Sequence, residues 1–591
     1  MSAGRSFAAD PIVAAPGPLP EAWQSQLVRC VVDENVGLPD TATIAVRDPN
    51  HEFLAETGIT IGTRLTVSVT TLDQQSRELL FSGEVTALEL DSDSTGSFTV
   101  VRAQNLAHRL LRGRKVAAFR NMALPAIVTK VLAGSGISPG RIDSPKIIYR
   151  HLTQAGVSDW EFLQSLAAEH GATVRVDDKG RLSFTKPSPA AKAPPPSTSA
   201  EQSPYVLEYG RNLMALRAVL TAADQVDAVE VRGWNVDTKK AVAANQPLRP
   251  STTVRPGLRP IAKFGKETML VTDTPYGNDA EATAAARSLA ESMSSGLGEF
   301  EAVVEGNPLL HADVPVALGN VGPQFSGSYT AAAVTHTLDP DSGYRTTVLV
   351  SASPDRSLTG LAIGANAPAH GPRVPGLAIG IVTDVRETGG SQRGWVKLKF
   401  PWLEDKQYQT DWVRTVQLGG QGGGVFGQEV GDEVLVGFEQ GCIDRPYVLG
   451  GLYNGKDVPS PHRLPLVDAA GKVNRRSFVS RKGHRLELID GVAGPPGVRI
   501  ASGDNRLEVR VDDQRNRIDL TVFAPGGRTA LSSVSLTPAG ITIDAGEGKL
   551  ALSGASVSID AKTSVSVDAM ASVRIDGGAV AGLKGRIVEI N

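Results

Sequence analysis

Three aspartates near the C-terminus, Asp560, Asp568 and Asp576, stand eight residues apart. Carboxylates on a fixed step could ligate calcium, as in solenoids built from glycine-rich nonapeptides. Here the step is eight, glycine is sparse, and no second carboxylate accompanies each Asp. Turn chemistry fits better, with each side chain bonding its own backbone. A second candidate is Ser183-Phe184-Thr185-Lys186, whose S-x-x-K spacing could let a lysine activate a serine nucleophile. It lies on an expected strand running into a proline-rich stretch, without its companion motifs. Gly265-Lys266 lacks the earlier glycine and the following Ser or Thr of a phosphate-binding loop. The 9 histidines are scattered without ligand spacing, and no G-x-S-x-G, H-E-x-x-H or C-x-x-C occurs. Cys30 and Cys442 form no motif and read as buried free thiols. The residues point to no enzyme, no cofactor and no metal.

The element that carries the aspartates is more informative than the aspartates. Val557, Val565 and Val573 keep the same step of eight, and so do Ile559, Val567 and Ile575. Each octad is a short strand followed by a turn, which is the pattern of a β-solenoid. A strand this narrow cannot bury its own apolar face, whereas stacked or wrapped copies can. Ile541/Ile543 and Leu550/Leu552 extend the pattern with looser spacing. The expected core of this element is Val557, Ile559, Val565, Val567, Val573 and Ile575.

The chain has 591 residues, which suggests about four domains. With 62 glycines, 37 prolines and few aromatics, it reads as mainly β with many turns. A net charge of −3 gives no general pull toward nucleic acid or anionic membrane. No apolar leader region is visible, and no segment approaches the roughly 18 apolar residues of a membrane span. Residues 1–24 read as an N-terminal arm, and 25–186 as a small barrel followed by a helical insertion. Ser158-Asp159-Trp160-Glu161 is a capping box for one of its helices. Residues 187–204 read as an exposed connector. Residues 205–351 repeat the first barrel's grammar, with Phe325-Ser326-Gly327 mirroring Phe81-Ser82-Gly83 and Val334 mirroring Leu88. A linker at 352–376 follows. Five short strands with glycine-rich turns in 377–455 suggest an OB-type barrel. Connector strands occupy 456–540 and the solenoid 541–591.

In 377–455 the motifs are specific. Phe400-Pro401-Trp402, Trp412-Val413-Arg414, the glycine run from Gly419 to Gly427, Val430-Gly431-Asp432-Glu433-Val434-Leu435-Val436, Gly441, Asp444-Arg445-Pro446 and Gly450-Gly451-Leu452-Tyr453-Asn454 occur in order. This resembles the OB domain of VgrG-type spike proteins of contractile injection systems, which are similar to myophage baseplate hub and spike proteins fused in one chain. Ser158 to Gly171 with Leu182-Ser183-Phe184, and Phe325-Ser326-Gly327 with Tyr329 and His336, resemble that family's hub. The fold expectation is then duplicated hub β-barrels with small helical insertions, an OB-fold barrel and a C-terminal trimeric β-helix needle. OB barrels also bind nucleic acid, but 377–455 holds seven Lys and Arg against ten Asp and Glu, so no nucleic-acid partner is expected.

The resemblance implies a central spike that pierces a target envelope. Wrapped C-terminal tails call for a homotrimer. Two similar barrels in each of three chains give a pseudo-sixfold ring, which would adapt a hexameric inner tube and its baseplate proteins to a threefold tip. A PAAR-type tip protein would dock on Ile587, Ile590 and Asn591. Assembly would take place in the bacterial cytoplasm, and the target membrane would be contacted only mechanically. The alternative is a cell-wall-degrading tail enzyme. The stretch of about 25 residues after Asn454 is too short for such a domain, whose two carboxylates need a cleft of their own. A solenoid-tailed adhesin would carry a signal peptide and a terminal binding domain, and neither is visible. With no hydrolase or terminal effector in view, an extracellular injection particle is the favoured setting.

Overall fold

In the computed structural model the chain is mainly β with a few short helices. The structure describes residues 11–70, 77–143, 148–223, 225–257, 266–340, 342–351, 373–387, 392–404, 408–420, 423–491 and 495–590. The chain divides into two units, Met1–Leu452 and Tyr453–Asn591. No helix among the described residues is long and apolar enough to cross a membrane.

Period-two alternation builds the strands of the first half. Its elements are β1 (Ile12–Ala14), α1 (Glu21–Gln24), β2 (Leu27–Asn35), β3 (Thr41–Arg47), α2 (Phe53–Thr57), β4 (Arg64–Thr70), β5 (Arg77–Asp93) and β6 (Gly96–Gln104). Cys30, Val32, Ile44, Val46, Val67, Phe81 and Val101 turn to one side and form a closed apolar core. Within the stretch read as an arm, β1 pairs with β4 and Val13 is buried, because three residues are too few to show a period.

The insertion contains β7 (Lys115–Ala123), α3 (Leu124–Leu132), β8 (Ser138–Ile142), β9 (Ile148–Val157), α4 (Asp159–Glu169), β10 (Thr173–Val176) and β11 (Arg181–Thr185). Ser158 caps α4 as its sequence requires. Its hydroxyl accepts from the Glu161 backbone N–H, and the Glu161 carboxylate accepts from the Ser158 N–H. Trp160 and Phe162 are core residues, and Phe162 stacks on Phe119 with 5.3 Å between centroids. Val174 faces Phe184 and Val176 faces Leu182 across the hairpin turn.

The second half contains β12 (Val206–Glu208), β13 (Leu213–Leu220), β14 (Ala228–Asn235), β15 (Lys240–Pro247), β16 (Val254–Pro256), β17 (Thr268–Tyr276), α5 (Asp279–Ser295), β18 (Gly298–Glu305), β19 (Pro315–Gly319), β20 (Gly327–Thr330), β21 (Ala333–Asp339) and β22 (Gly343–Val350). Phe300, Ala302, Val316, Leu318, Tyr329, Val334 and Val348 form its main core. A satellite core joins α5 to β14, β15 and β17 through Ala282, Ala286 and Val231. The connector before this half follows its surface rather than hanging free: the Ala190 N–H donates to Thr252 O at 2.8 Å, and Ala190 is buried.

The two halves share one ten-stranded sheet, in the order β1-β4-β5-β6-β3-β2-β21-β22-β18-β13. The seam is β2 against β21, antiparallel, with Cys30 facing Leu338 and Glu34 facing Val334. Most of the linker at 352–376 lies outside the described residues. All five strands expected in 377–455 are present: β23 (Leu377–Asp384), β24 (Lys397–Lys399), β25 (Arg414–Thr415), β26 (Glu433–Phe438) and β27 (Pro446–Gly451). They form one sheet ordered β24-β23-β26-β27-β25. Val396 and Val413, beside its two outer strands, form an antiparallel bridge with both N–H···O bonds made, at 3.0 and 2.7 Å.

The second unit is a meander of β28 (Arg475–Val479), β29 (Arg485–Ile489), β30 (Gly497–Ala501), β31 (Leu507–Asp512), β32 (Arg517–Phe523), β33 (Ala530–Thr537) and β34 (Gly540–Asp544), each antiparallel to the next. Beyond it, residues 545–590 form no helix or strand.

Candidate functional site

The octads lie in this last stretch, and from residue 546 to 590 every side chain is exposed. The step of eight still marks their geometry. Val557, Val565 and Val573 are 58%, 56% and 53% exposed, and Ile559, Val567 and Ile575 are 69%, 69% and 71% exposed. Equivalent residues thus sit in equivalent surroundings, and the single chain buries none of them. Ile587 and Ile590 are also exposed, while Asn591 lies outside the described residues.

Asp576 bonds nearby backbone as the sequence suggests, while Asp560 and Asp568 bond side chains. Ser558 Oγ donates to Asp560 at 3.1 Å, Ser566 Oγ to Asp568 at 2.9 Å and Arg574 Nη2 to Asp576 at 3.0 Å. Of the three, Asp576 also accepts a backbone N–H, from Gly578 at 3.1 Å. Residues two apart on an extended chain share a face. Each Asp is therefore held on one face by the residue two before it, and the valines and isoleucines occupy the other.

The meander has the same two-sided character. One row across its strands reads Leu486, Ile500, Val509, Leu520, Val534, Ile543, each facing the next. A second reads Leu488, Val498, Val511, Ile518, Leu536, Ile541. The opposite face carries Glu487, Arg499, Arg510, Asp519 and Ser535 in one facing row. The apolar face forms an open trough of about 850 Å³, reaching Leu550. Leu488, Ile500, Leu520 and Ile543 are all exposed on it. An apolar face of this extent marks an interaction surface.

Titratable groups converge in the first unit in ways that sequence spacing did not reveal. Ligand-type atoms of Glu34, His311 and His336 lie within 4.8 Å of one another. Glu34, both nitrogens of His336 and Nδ1 of His311 already have hydrogen-bond partners. Glu34 accepts from His311 Nδ1 at 2.7 Å, from the Ala312 N–H at 3.2 Å and from Arg175 Nη2 at 3.5 Å. His336 Nε2 bonds Leu310 O at 3.0 Å, and its Nδ1 bonds the Tyr344 hydroxyl at 2.9 Å. The group acts as a hydrogen-bonded clasp across the β2–β21 seam. Burial raises the Glu34 carboxyl, but the His311 bond and the nearby cations outweigh it and leave the pKa below its ordinary value. Burial pushes His336 down to about 4. The residues come from positions 34, 311 and 336, so no local motif encodes them.

A second cluster joins the insertion to the five-stranded sheet. The Thr153 hydroxyl donates to Asp444, and Tyr408 and His151 approach it at 3.3 and 3.1 Å. A hydroxyl, an imidazole and a carboxylate could form a nucleophile site. The cavity beside them, lined by His151, Tyr408 and Asp444, holds about 30 Å³, which is room for one water and no substrate. Ser183 of the S-x-x-K match faces Arg175 in the β10–β11 hairpin, and Lys186 is exposed beyond the strand.

The family model for the Alg8 N-terminal domain matches residues 26–340, more than half of the chain. The chain belongs to the Alg8 N-terminal domain family. A second model, for the type VI secretion system/phage-baseplate injector OB domain, matches residues 378–453. The type VI secretion system spike proteins VgrG2a and VgrG2b of Pseudomonas aeruginosa are each 28% identical over 134 residues, 22% of this chain. The match spans only 16% and 13% of their own lengths. The similarity to VgrG-type spike proteins read from the sequence is thus present in the comparisons. Among solved structures, the E. coli c3393 protein, a component of the type VI secretion system, is 16% identical, with a TM-score of 0.46 over 72% of this chain and 97% of that one. The half-lidded Francisella PdpA–VgrG complex is 8% identical, with a TM-score of 0.48 over 88% and 83%.

Proposed function

We propose that this protein is the central spike of a contractile injection system, acting as a homotrimer. The N-terminal halves form the hub, and three C-terminal tails wrap into one β-helical needle. The observation that carries this reading is the exposed octad ladder. Six β-branched residues at a fixed step, all more than half exposed, are covered by no other part of the chain among the described residues. Two further copies supply one, and the apolar face of the meander leads into the same arrangement. The needle core is Val557, Ile559, Val565, Val567, Val573 and Ile575.

The role is mechanical. A tube driven by sheath contraction pushes the hub, and the needle concentrates that force on the target envelope. Between hub and needle, β23–β27 make a closed OB barrel, a reading supported by the Val396–Val413 bridge that links its outer strands. The duplicated hub adapts a hexameric inner tube to a threefold tip. Ile587, Ile590 and Asn591 dock a PAAR-type tip protein, and assembly takes place in the bacterial cytoplasm.

The reading is tested by replacing Val565 with Asp. Three like charges would meet near one axis without counterions, which costs several kcal/mol per buried ion. The trimer is expected to be lost, while Ser566→Asp, on the other face, leaves it intact. A heat-stable trimer of the Val565→Asp protein would overturn the needle.

A further inference from the structure

The ten-stranded sheet contains one four-strand order twice: β5, β6, β3, β2 and then β21, β22, β18, β13. The rows coincide as well as the order. In the first half Leu88 faces Val101, Val101 faces Ile44, and Ile44 faces Cys30. In the second, Val334 faces Val348, Val348 faces Ala302, and Ala302 faces Leu216. All eight side chains pack on the core of their own half.

Inside one chain, the last strand of the first set pairs with the first strand of the second, β2 on β21. The two remaining outer edges have no such neighbour among the described residues. Residues 215–220 of β13 pair only with β18. Residues 87–93 of β5 pair only with β6, since the pairing with β4 ends where Arg64 faces Glu84. Free edges of this kind present rows of backbone donors and acceptors to another strand.

The internal joint predicts how these edges would meet. Aligning the two sets on their coincident rows places Leu216 where Cys30 lies and Leu88 where Val334 lies. Carrying over the β2–β21 register then sets Leu216 opposite Ser92, Ala218 opposite Leu90, and Leu220 opposite Leu88 of another copy. Arg217 falls opposite Asp91. The alignment used no charges, yet it pairs unlike ones. It also explains Leu90, which is 64% exposed, whereas His336 at the equivalent position of the covered strand is 0% exposed.

We propose that β13 of one copy pairs antiparallel with residues 87–93 of β5 in the next, repeating the β2–β21 joint between molecules. This rests on the trimeric reading and names its hub contact. The contact is head-to-tail, so it must close into a ring or grow without limit. In a trimer it closes with three internal and three intermolecular joints of one kind.

Arg217→Cys together with Asp91→Cys, in the full chain, tests it. Facing antiparallel residues have Cα atoms about 4.5–5.5 Å apart, within disulfide reach. Oxidation is expected to give a covalent three-chain species on a non-reducing gel, against a wild-type background containing Cys30 and Cys442. Mixed single variants are expected to give a covalent pair. The shifted combination, Arg217→Cys with Asp93→Cys, is expected to give at most about a tenth of that yield, since diagonal neighbours lie farther apart. A protein that measures as a trimer but forms no 217–91 bond, or bonds the shifted pair equally, overturns the joint and leaves the trimer standing. A protein that measures as a monomer overturns both. As a second arm, Arg217→Asp is expected to weaken assembly and Arg217→Asp with Asp91→Arg to restore it; failure to restore counts against the joint.

Discussion

Glu34 in the first half and His311 in the second are joined by a 2.7 Å bond between Oε1 and Nδ1. Glu34 is buried and also accepts from Ala312 and Arg175. The bond therefore ties the two halves together at the point where their shared sheet crosses from one to the other.

Replacing Glu34 with Leu removes the acceptor and leaves Arg175 and His311 facing an apolar wall. The loss of thermal stability is expected to be on the order of 3 kcal/mol, the usual scale for breaking a buried charged pair. Glu34→Gln keeps an acceptor oxygen and should cost less. Thermal unfolding of the two full-length variants, followed by circular dichroism, checks the order. Equal melting temperatures would remove the clasp from the account.

The same clasp sets an acid limit. The fold holds His336 neutral, with a pKa pushed down by burial to about 4. Its contribution is complete above the ordinary value of about 6.5 and is lost as pH falls toward 4. Glu34, held below its ordinary value, acts in the same direction. Asp40, pushed up by burial to about 7, acts in the opposite one, losing its contribution as pH rises toward 7. In His336→Gln the fall in melting temperature between pH 7 and pH 4 should be shallower than in the parent. An unchanged slope would assign the acid sensitivity elsewhere.

Gly83 and Gly327 end the two copies of Phe-Ser-Gly, and both are required by close backbone approach. A Cβ at Gly83 would lie 2.2 Å from Gln104 O, and one at Gly327 would lie 2.3 Å from Arg255 O. Backbone oxygens in a sheet cannot step aside. Each Gly→Ala change is expected to cost about 1–3 kcal/mol, the range for overpacking. Melting temperatures of the two variants test this; a neutral Gly83→Ala would show that the strands separate more easily than their packing implies.

Much of the fold was legible in local pattern. The five strands of 377–455 and the capping box at Ser158 fall where alternation, turns and caps place them. The repeat of Phe-Ser-Gly is visible too, with Gly83 facing Leu65 on β4 and Gly327 facing Leu318 on β19. What could not be read was long-range pairing. Nothing around Cys30 indicates that its strand will lie beside Leu338. Glu34, His311 and His336 have no common spacing because the sheet, and not the chain, brings them together. Turn chemistry holds at Asp576, but the hydrogen bonds from Ser558 and Ser566 to the other two aspartates are not legible, because an i−2 side-chain contact leaves no mark on the eight-residue period.

The mass of the full chain in solution tests the account most directly. Sedimentation equilibrium at neutral pH should give three times the single-chain mass, independent of dilution across the micromolar range. A mass of one chain at those concentrations would leave the octads without partners and would contradict the trimeric needle.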